Sequence, residues 1–494
     1  MKKQPISVLS LFLAALMLLP SCSQTPEQTA DEPDSANAVT ADAGSSDAPA
    51  PETEPVDDAD DFSAYMPTGD YDGFEFCILK SPDIGWALDE VCAEEVTGEA
   101  YNDAIYNRNS RIEEAFNISV TQFDGSVDAA IKSAVSAGDD VYAIAYPSLA
   151  SASNLAAQNL LVDLLKRDEF HFDMPWWDSA ARDYLTVAGR LFFAENEINI
   201  QYDEATWALY FNKDLVGLYS MENPYELIRE NEWTMDKMRG MMTVVARDAD
   251  GDGLVSAQDY FGFATHGGSY VGMLSGAGES LVSMTDEGDF QMNLTSDRVL
   301  RIAEKIGSIL NDMTATVMPY RFSVSPGDAF FTGHCLFFGE VIGTFAHLRE
   351  MEGDFGLIPF PKFESSQEYY TCEVLDTALA YTIPRSVSDK SRVCTISEAL
   401  AIDSHGDFMN AYLDTTIMGK SIRDEDSRDM LELIFEYRVY DLGDIFEWGG
   451  VTSAFQKAVD EGASTMASTV QKIEKIFNKN MEKSLKAFAE ADGE

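Results

Sequence analysis

The sequence is poor in basic residues, and its histidines show no metal-binding pattern. Lys and Arg number 34 against 85 Asp and Glu, which gives a formal net charge of −51. Nucleic acids and anionic lipids are held by basic patches, so this imbalance argues against both as partners. The five histidines stand at scattered positions, 171, 266, 334, 347 and 405, and no HExxH pair occurs.

The sequence also lacks the local motifs of catalysis and of phosphate binding. No GxSxG or GxGxxG occurs where it would be needed, and GKS at 419–421 lacks the glycine five residues before its own. Apart from Cys22, five cysteines remain, with no CxxC pair to suggest zinc or a disulfide scaffold, although one pair could form outside the cell. We therefore predict no enzyme activity and no catalytic cofactor.

The one strongly apolar run is too short to span a bilayer. Lys2 and Lys3 precede an apolar stretch over 8–19, about a dozen residues where a spanning helix needs about 20. The following Leu-Pro-Ser-Cys resembles a bacterial lipobox, which predicts a signal peptide over 1–21 and a lipidated (palmitate-bearing) Cys22. A plain secretory peptide with an incidental Cys22 is the alternative. The lipobox predicts a location on the outer face of the cell membrane, with the protein anchored by lipid.

The next segment, 22–62, is predicted to be an acidic tether. From 23 to 61 it contains no Lys, Arg or aromatic residue, so it cannot bury enough apolar surface to fold. Like charges along it repel and extend it. The remaining 430 or so residues exceed what one hydrophobic core usually organises, which predicts two lobes.

Strand and helix patterns alternate in the first part of the folded region. FEFCILK at 74–80 and ISVTQF at 118–123 have strand patterns, and DVYAIAYP at 140–147 supplies the next strand. Between them, Ile105, Ile112 and Phe116 form one stripe of a helix, and a second helix covers 126–137. This alternation predicts the α/β class, with a mostly parallel sheet flanked by helices.

Seven local segments follow one another along the folded region: YNDAIYNRNSRIEEAFNISV (101–120), NLLVDLL (159–165), PWWD (175–178), ALYFNKDLV (208–216), EWTMDKM (232–238), DADGDG (248–253) and FGLIPFPK (355–362). Together they resemble the family 1 extracellular solute-binding proteins, the carbohydrate-type receptors of ABC importers with a fold like that of maltose-binding protein. Their order matches the family over essentially all of 70–490.

The resemblance implies a two-lobed α/β receptor with the type II periplasmic-binding-protein fold, which closes about a hinge on a small solute. Each lobe is expected to contain a mixed or mostly parallel sheet flanked by helices. The expected lobe 1 comprises 63–190 and a return at 331–385. The expected lobe 2 comprises 191–330 and a return at 386–494 with C-terminal helices, and crossings lie near 185–200 and 380. The implied partners are a small solute, expected to be a carbohydrate, and the membrane subunits of the importer.

The segment DADGDGLVSAQD has the spacing of an EF-hand calcium loop. Asp248, Asp250 and Asp252 occupy positions 1, 3 and 5, Leu254 offers a carbonyl at position 7, and Asp259 stands at position 12. Position 12 is normally a bidentate Glu, so the shorter Asp weakens the prediction of a structural Ca²⁺. An acidic turn that binds nothing is the alternative.

Aromatic residues near predicted strand ends suggest a sugar site, because sugar rings offer apolar faces to flat side chains and hydroxyl edges to carboxylates. The predicted ligand contacts are Trp176, Trp207, Asp103, Trp177, Tyr210, Trp233, Tyr270, Trp448 and Glu340. Further candidates are Tyr202, Asn102, Asp203 and Asp376. For each aromatic residue, core packing is at least an equal alternative.

Two other functions remain open from the sequence. A surface-anchored carbohydrate-active enzyme would use paired carboxylates, which such an acidic chain could supply anywhere. An adhesive surface lipoprotein would lack a deep cleft. We predict the ABC importer's substrate-binding lipoprotein.

Overall fold

The computed structural model describes residues 62–82, 85–285, 289–319, 321–348, 351, 353–413 and 424–491. The predicted signal peptide, Cys22 and the tether up to residue 61 lie outside this part. The strands are β1 Phe74–Lys80, β2 Ile118–Asp124, β3 Ile144–Tyr146, β4 Trp207–Asn212, β5 Phe261–Thr265, β6 Val282–Met284, β7 Phe290–Met292, β8 Thr316–Val317, β9 Cys335–Val341, β10 Phe355–Ile358, β11 Cys372–Glu373 and β12 Arg438–Val439.

The helices alternate with these strands along most of the chain. They are α1 Ala100–Phe116, α2 Val127–Ala137, α3 Leu149–Ala156, α4 Ser179–Leu185, α5 Gln201–Glu204, α6 Lys213–Leu218, α7 Pro224–Arg229, α8 Met235–Val245, α9 Ser269–Gly276, α10 Asp297–Leu310, α11 Pro326–Phe331, α12 Phe345–Leu348, α13 Lys390–Asp403, α14 Glu425–Glu436, α15 Leu442–Phe446, α16 Val451–Glu461 and α17 Met466–Glu490. Across the described part of the chain, no helix combines the length and apolar character needed to cross a membrane.

The first sheet is parallel, with strand order β2-β1-β3. Helix α1 connects β1 to β2, and its predicted stripe of Ile105, Ile112 and Phe116 is buried. Helix α2 connects β2 to β3 and ends at Gly138, whose φ of 72° is one that glycine adopts without strain. The predicted α/β alternation is confirmed here.

The second sheet has five strands in the order β10-β4-β9-β5-β8. Strand β4 is antiparallel to both of its neighbours, whereas β5 is parallel to β9 and to β8. All six residues of β4 and all five of β5 are buried, as expected for strands covered by helices on both faces. The fold is therefore α/β with one parallel and one mixed sheet, as predicted.

Two segments connect the sheets, and they lie side by side. Tyr381 forms an isolated bridge with Ala194, and the next residue, Thr382, forms one with Ala145 of β3. The two predicted crossings are thus neighbours, although they are joined by single bridges rather than by strands.

The strand pairing corrects part of the expected lobe boundaries. Strands β9 and β10, which fall within the expected return of 331–385 to the first lobe, pair with β4 in the second sheet. Helix α13, expected in the second lobe, packs on α1, and Arg111 forms a salt bridge of 2.5 Å with Asp403. An apolar run such as 335–341 is compatible with a buried strand in either sheet. The local pattern therefore does not predict which strand it pairs with.

Candidate functional site

A cavity of about 490 Å³ lies where three parallel strands of the second sheet end. His266 directly follows β5, Pro319 follows β8, and Glu340 is the penultimate residue of β9. Ligands of open α/β sheets bind at the carboxyl ends of strands. The lining of this first cavity consists of Trp86, His266, Pro319, Ser325, Pro326, Gly327, Phe331, Phe338, Glu340, Val341, Thr344, His347, Leu375 and Thr377.

The opposite wall comes from segments outside the second sheet. Trp86 belongs to the loop after β1, at the carboxyl end of the first sheet, and Thr377 to the chain that leads towards the second crossing. Glu204 fixes the Trp86 loop by accepting a hydrogen bond of 2.6 Å from the Leu88 amide. Gly343 lies so close that a Cβ there would stand 2.9 Å from the Trp86 carbonyl oxygen. The first cavity therefore lies between the two sheets.

A histidine and a carboxylate form the polar centre of this cavity. His266 Nε2 lies 2.8 Å from Glu340 Oε1, and the Val341 amide donates to the same oxygen at 3.0 Å. Both side chains are partly exposed, 33 % for His266 and 19 % for Glu340, so a ligand can reach them. Trp86, Phe331 and other apolar lining residues surround the pair. An apolar cavity with a few convergent polar groups suits a small polar organic ligand.

Of the predicted ligand contacts, Glu340 lines the first cavity and Trp207 lies directly behind it. The Trp207 ring contacts the His266 ring, with centroids 4.9 Å apart, but Trp207 is itself fully buried. Gly268 and Gly272 allow this packing, since a Cβ at Gly268 would stand 2.7 Å from the indole. Trp207 thus supports the imidazole and is not an exposed platform.

The other predicted aromatic contacts are core residues, and that part of the prediction is wrong. Their polar atoms are occupied by protein partners, with Trp176 and Trp177 donating to Glu398 at 2.9 Å each, Trp233 to the Pro359 carbonyl at 3.1 Å, Trp448 to Ser484 at 3.0 Å, Tyr210 to the Ile342 carbonyl at 2.9 Å and Tyr270 to Asp460 at 2.7 Å. All six are at most 3 % exposed. These residues lie in the core because the burial of a large aromatic ring away from water is strongly favourable.

The polar candidates also have structural roles. Asp103 accepts hydrogen bonds from the Thr97 amide at 2.8 Å and the Gly98 amide at 3.0 Å, and the Thr97 bond lowers its pKa. Asn102 donates to the Glu95 carbonyl at 2.8 Å. Buried Asp203 pairs with Arg438, yet burial raises its pKa to about 7. Tyr202 is also buried, with the Arg438 guanidinium 4.8 Å from its ring centre.

Sequence reasoning missed most of the cavity lining, including Trp86, His266, Thr344 and Thr377. A signal for two of these was available. Trp86 follows the first strand by six residues and His266 directly follows β5, and both positions are at carboxyl ends of parallel strands, where ligands collect. Thr344 and Thr377 stand in segments whose place depends on the long-range pairing of β9 and β11, which the local sequence does not specify.

Three of the predicted calcium ligands are grouped in the structure. Carboxylate oxygens of Asp248, Asp250 and Asp252 lie within 4.8 Å of one another. Asp248 accepts hydrogen bonds from the Gly251 and Gly253 amides at 2.7 and 2.9 Å, which lower its pKa. These three residues fit a hard cation.

The remaining two predicted ligands are placed differently. Asp259 is 4 % exposed, and its two oxygens accept hydrogen bonds from the Ala249 and Ser256 amides at 2.9 and 2.8 Å. Each of these oxygens keeps a lone pair, but the low exposure of Asp259 separates it from the three exposed carboxylates of the group. The side chain of Leu254 is exposed, so only its carbonyl oxygen could serve.

Comparison with known proteins finds similarity at the level of structure. No protein-family model and no curated protein matches the sequence. An ABC substrate-binding protein from Listeria monocytogenes, solved with cycloalternan, aligns over 83 % of this chain and 100 % of its own, with 14 % identity and a TM-score of 0.55. The chain has the fold of the ABC substrate-binding proteins.

Two further solved structures show the same fold with other ligands. The maltose/maltodextrin-binding domain of Bdellovibrio bacteriovorus, bound to maltotriose, aligns over 83 % of this chain and 100 % of its own with 12 % identity and a TM-score of 0.54. UgpB of Mycobacterium tuberculosis, in complex with glycerophosphocholine, covers 83 % and 99 % with 12 % identity and a TM-score of 0.52. Identities this low establish the substrate-binding-protein fold alone.

Proposed function

We propose that this chain is the substrate-binding protein of an ABC importer and captures a small solute, a mono- or oligosaccharide, in the first cavity. The observation that carries the proposal is the position of that cavity, between the carboxyl ends of β5, β8 and β9 and the loop after β1. Closure about the two adjacent crossings would enclose the solute.

The chemistry of the first cavity supports a carbohydrate. Trp86, Phe331 and Phe338 offer apolar rings for the C–H faces of a sugar, while Glu340, Thr344 and Thr377 offer groups that bond hydroxyls. Two of the structurally similar proteins were solved with saccharides, cycloalternan and maltotriose. These similarities favour a saccharide over a peptide.

The lining also supports a receptor over a hydrolase. Among the described residues that line the first cavity, Glu340 is the carboxylate, and its Oε1 is engaged by His266. Glycoside hydrolysis normally uses two carboxylates across the scissile bond, about 5 Å apart in retaining enzymes.

The lipobox supports a location at the outer face of the membrane, with Cys22 acylated. Each acyl methylene contributes about 0.8 kcal/mol to membrane binding, so a diacylated or triacylated Cys22 would hold the protein firmly. The partners in this role are the membrane subunits of the importer.

A structural calcium ion in the 248–259 loop is part of the same proposal. The grouped carboxylates of Asp248, Asp250 and Asp252 support it. Adding CaCl₂ to chelator-treated protein should raise the melting temperature, and Asp252→Asn should reduce the rise. Mg²⁺ at equal concentration is the control, because a compact octahedral ion suits this loop poorly. An equal response to both ions, or to neither, would reject the calcium site.

The solute-binding proposal is tested by thermal shift of the full chain against mono- and oligosaccharides, followed by calorimetric titration. A ligand at 100 times its Kd stabilises by about 2.7 kcal/mol, which is readily measured. Trp86→Ala should raise the Kd about tenfold, because the loss of one aromatic contact costs about 1.4 kcal/mol of binding free energy. Tyr369→Ala removes an exposed aromatic ring outside the cavity lining and should leave the Kd unchanged. No binding of any saccharide, or recovery of cleaved sugar, would refute the receptor.

A further inference from the structure

The charges that line the first cavity indicate which kind of solute it accepts. Among the described lining residues there is no Lys or Arg, and Glu340 is the one carboxylate. The other ionisable side chains are His266 and His347. Phosphate and carboxylate groups of ligands are normally bound by Arg or Lys. The lining therefore favours a neutral or cationic solute over an anionic one.

The hydrogen bonds of His266 show that its imidazole is neutral in this arrangement. The Gly268 amide donates to Nδ1 at 3.3 Å, so Nδ1 carries a lone pair and not a proton. The proton is then on Nε2, which donates to Glu340 Oε1 at 2.8 Å. The pair of His266 and Glu340 consequently carries the negative charge of the carboxylate without a positive charge beside it.

Glu340 offers one of its two oxygens to a ligand. The hydrogen bonds that it accepts from His266 and from the Val341 amide, the latter at 3.0 Å, both go to Oε1. These two bonds fix the orientation of the carboxylate, and the lone pairs of Oε2 remain for a solute. The side chain is 19 % exposed, so a solute can reach it. A carboxylate oxygen held in this way suits an ammonium group.

A second carboxylate lies behind the same wall. Glu204 is buried, and a Cβ at Gly343, three residues after Glu340, would stand 3.1 Å from Glu204 Oε2. Burial, reinforced by the charges of Glu340 and Glu204, raises the pKa of the Tyr210 hydroxyl. The whole chain has a formal net charge of −51, which attracts cations from solution. The local and the overall charge therefore favour the same sign of solute.

Aromatic rings supply a second element of cation recognition. Trp86 on the opposite wall and Phe331 both line the first cavity and are only partly buried. The faces of aromatic rings attract cations, and Trp does so most strongly. Thr344 and Thr377 line the same cavity and present hydroxyl groups. The lining thus combines groups for an ammonium with groups for sugar hydroxyls.

We propose that the solute of the first cavity is an aminated saccharide. Its ammonium group pairs with Glu340 Oε2 and lies against the Trp86 ring, and its hydroxyls bond Thr344 and Thr377. The inference rests on the proposed function and narrows it from saccharides in general to those that carry a positive charge.

The test compares glucosamine, glucose and glucuronic acid, which differ in charge, by calorimetric titration of the full chain. Glucosamine should bind about tenfold more tightly than glucose, and glucuronate should bind more weakly than glucose. Added NaCl should weaken the binding of glucosamine but not that of glucose, because salt screens the ion pair. Fully deacetylated chitobiose and cellobiose repeat the comparison for a disaccharide.

The variants are judged by the ratio of the glucosamine and glucose affinities. Glu340→Gln, of equal size but neutral, should reduce this ratio to about one. Trp86→Leu keeps an apolar side chain but removes the ring, so it should weaken glucosamine more than glucose. Glu279 is the matched control, because its side chain is 24 % exposed and lies outside the lining of the first cavity. Glu279→Gln should leave the ratio unchanged.

The results separate this inference from the proposed function. Equal binding of glucosamine and glucose, tighter binding of glucuronate, or an unchanged ratio in folded Glu340→Gln would overturn the inference, while the binding of neutral sugars would still support the receptor. If no saccharide of any charge binds, the proposed function is itself wrong and the inference is lost with it.

Discussion

Glu398 and Glu373 are both glutamates with 1 % exposure, yet their surroundings are opposite. Glu398 accepts hydrogen bonds from Trp176 Nε1 and Trp177 Nε1 at 2.9 Å each, from the His171 amide at 3.2 Å, and lies 2.9 Å from His171 Nδ1. Glu373 has no such partner among the described residues. Equal burial therefore accompanies opposite hydrogen-bonding environments, and the two carboxylates should affect the free energy of unfolding in opposite directions. Four predictions test this contrast.

The largest effect is expected from Glu398→Ala. The change leaves two buried indole N–H groups and the His171 ring without their acceptor, so the free energy of unfolding should fall by about 3–5 kcal/mol. Urea denaturation measures this, and Trp176→Phe, which removes one of the donors, should have a smaller effect. A loss below about 1 kcal/mol would show that the carboxylate is not the organising centre of this core.

The next effect concerns pH. Burial raises the pKa of Asp444 to about 8 and that of Asp441 to about 6, from 3.8. Above about pH 4 the folded state then binds more protons than the unfolded state. The free energy of unfolding should therefore fall as the pH rises towards 8, because these two groups must ionise while buried. Asp444→Asn should remove the part of this pH dependence that Asp444 causes, about 2 kcal/mol. The free energy of unfolding of the variant should therefore fall less than that of the wild type between pH 5 and 8. If urea denaturation gave the same pH dependence of the free energy of unfolding for the variant and the wild type, the prediction would be wrong.

A smaller and opposite change is expected for Glu373→Gln. Without a ligand the substitution removes a buried group that must be either unpaired or kept protonated, so the free energy of unfolding at pH 9 should rise by about 1–2 kcal/mol. Glu279→Gln is the matched control, because it breaks the Arg298 salt bridge and should not stabilise. Destabilisation by Glu373→Gln would reveal a donor for this carboxylate.

The smallest effect is expected for Asp103→Asn. Asp103 stands at the surface and its two backbone bonds persist in part with an amide oxygen, so the melting temperature should fall by about 2 °C or less. Calorimetry should find an unchanged affinity for the saccharide that binds the wild-type protein. A clear loss of that affinity would restore Asp103 as a ligand contact.

Sequence reasoning predicted the α/β elements and named one residue that lines the first cavity. The β1 to β3 region followed from local apolar patterns, because each helix stripe and strand run reflects its own burial. Glu340, a predicted ligand contact, lines the first cavity. The sheet membership of β9 and β10 was not predictable, since pairing with β4 connects residues more than 120 positions apart.

The aromatic predictions failed for a physical reason. A tryptophan near a strand end can meet a ligand or complete the core, and hydrophobic transfer favours the core wherever an acceptor for the indole N–H exists. Trp176 and Trp177 have such an acceptor in Glu398, which lies more than 220 residues away. Trp86, by contrast, lies on a loop after β1 and stays at the cavity.

The short contacts between the crossings have a mechanical consequence. Ala194 and Tyr381 pair the two connecting segments next to the Ala145–Thr382 bridge on the first sheet, and the Leu379 amide also donates to Gln201 Oε1 at 2.7 Å. Two adjacent connectors of this kind bend easily about the line that is common to both, but they resist twisting and sliding. We therefore expect the two sheets to move relative to one another mainly by bending at these connectors, which would change the width of the first cavity while each sheet keeps its own hydrogen bonds.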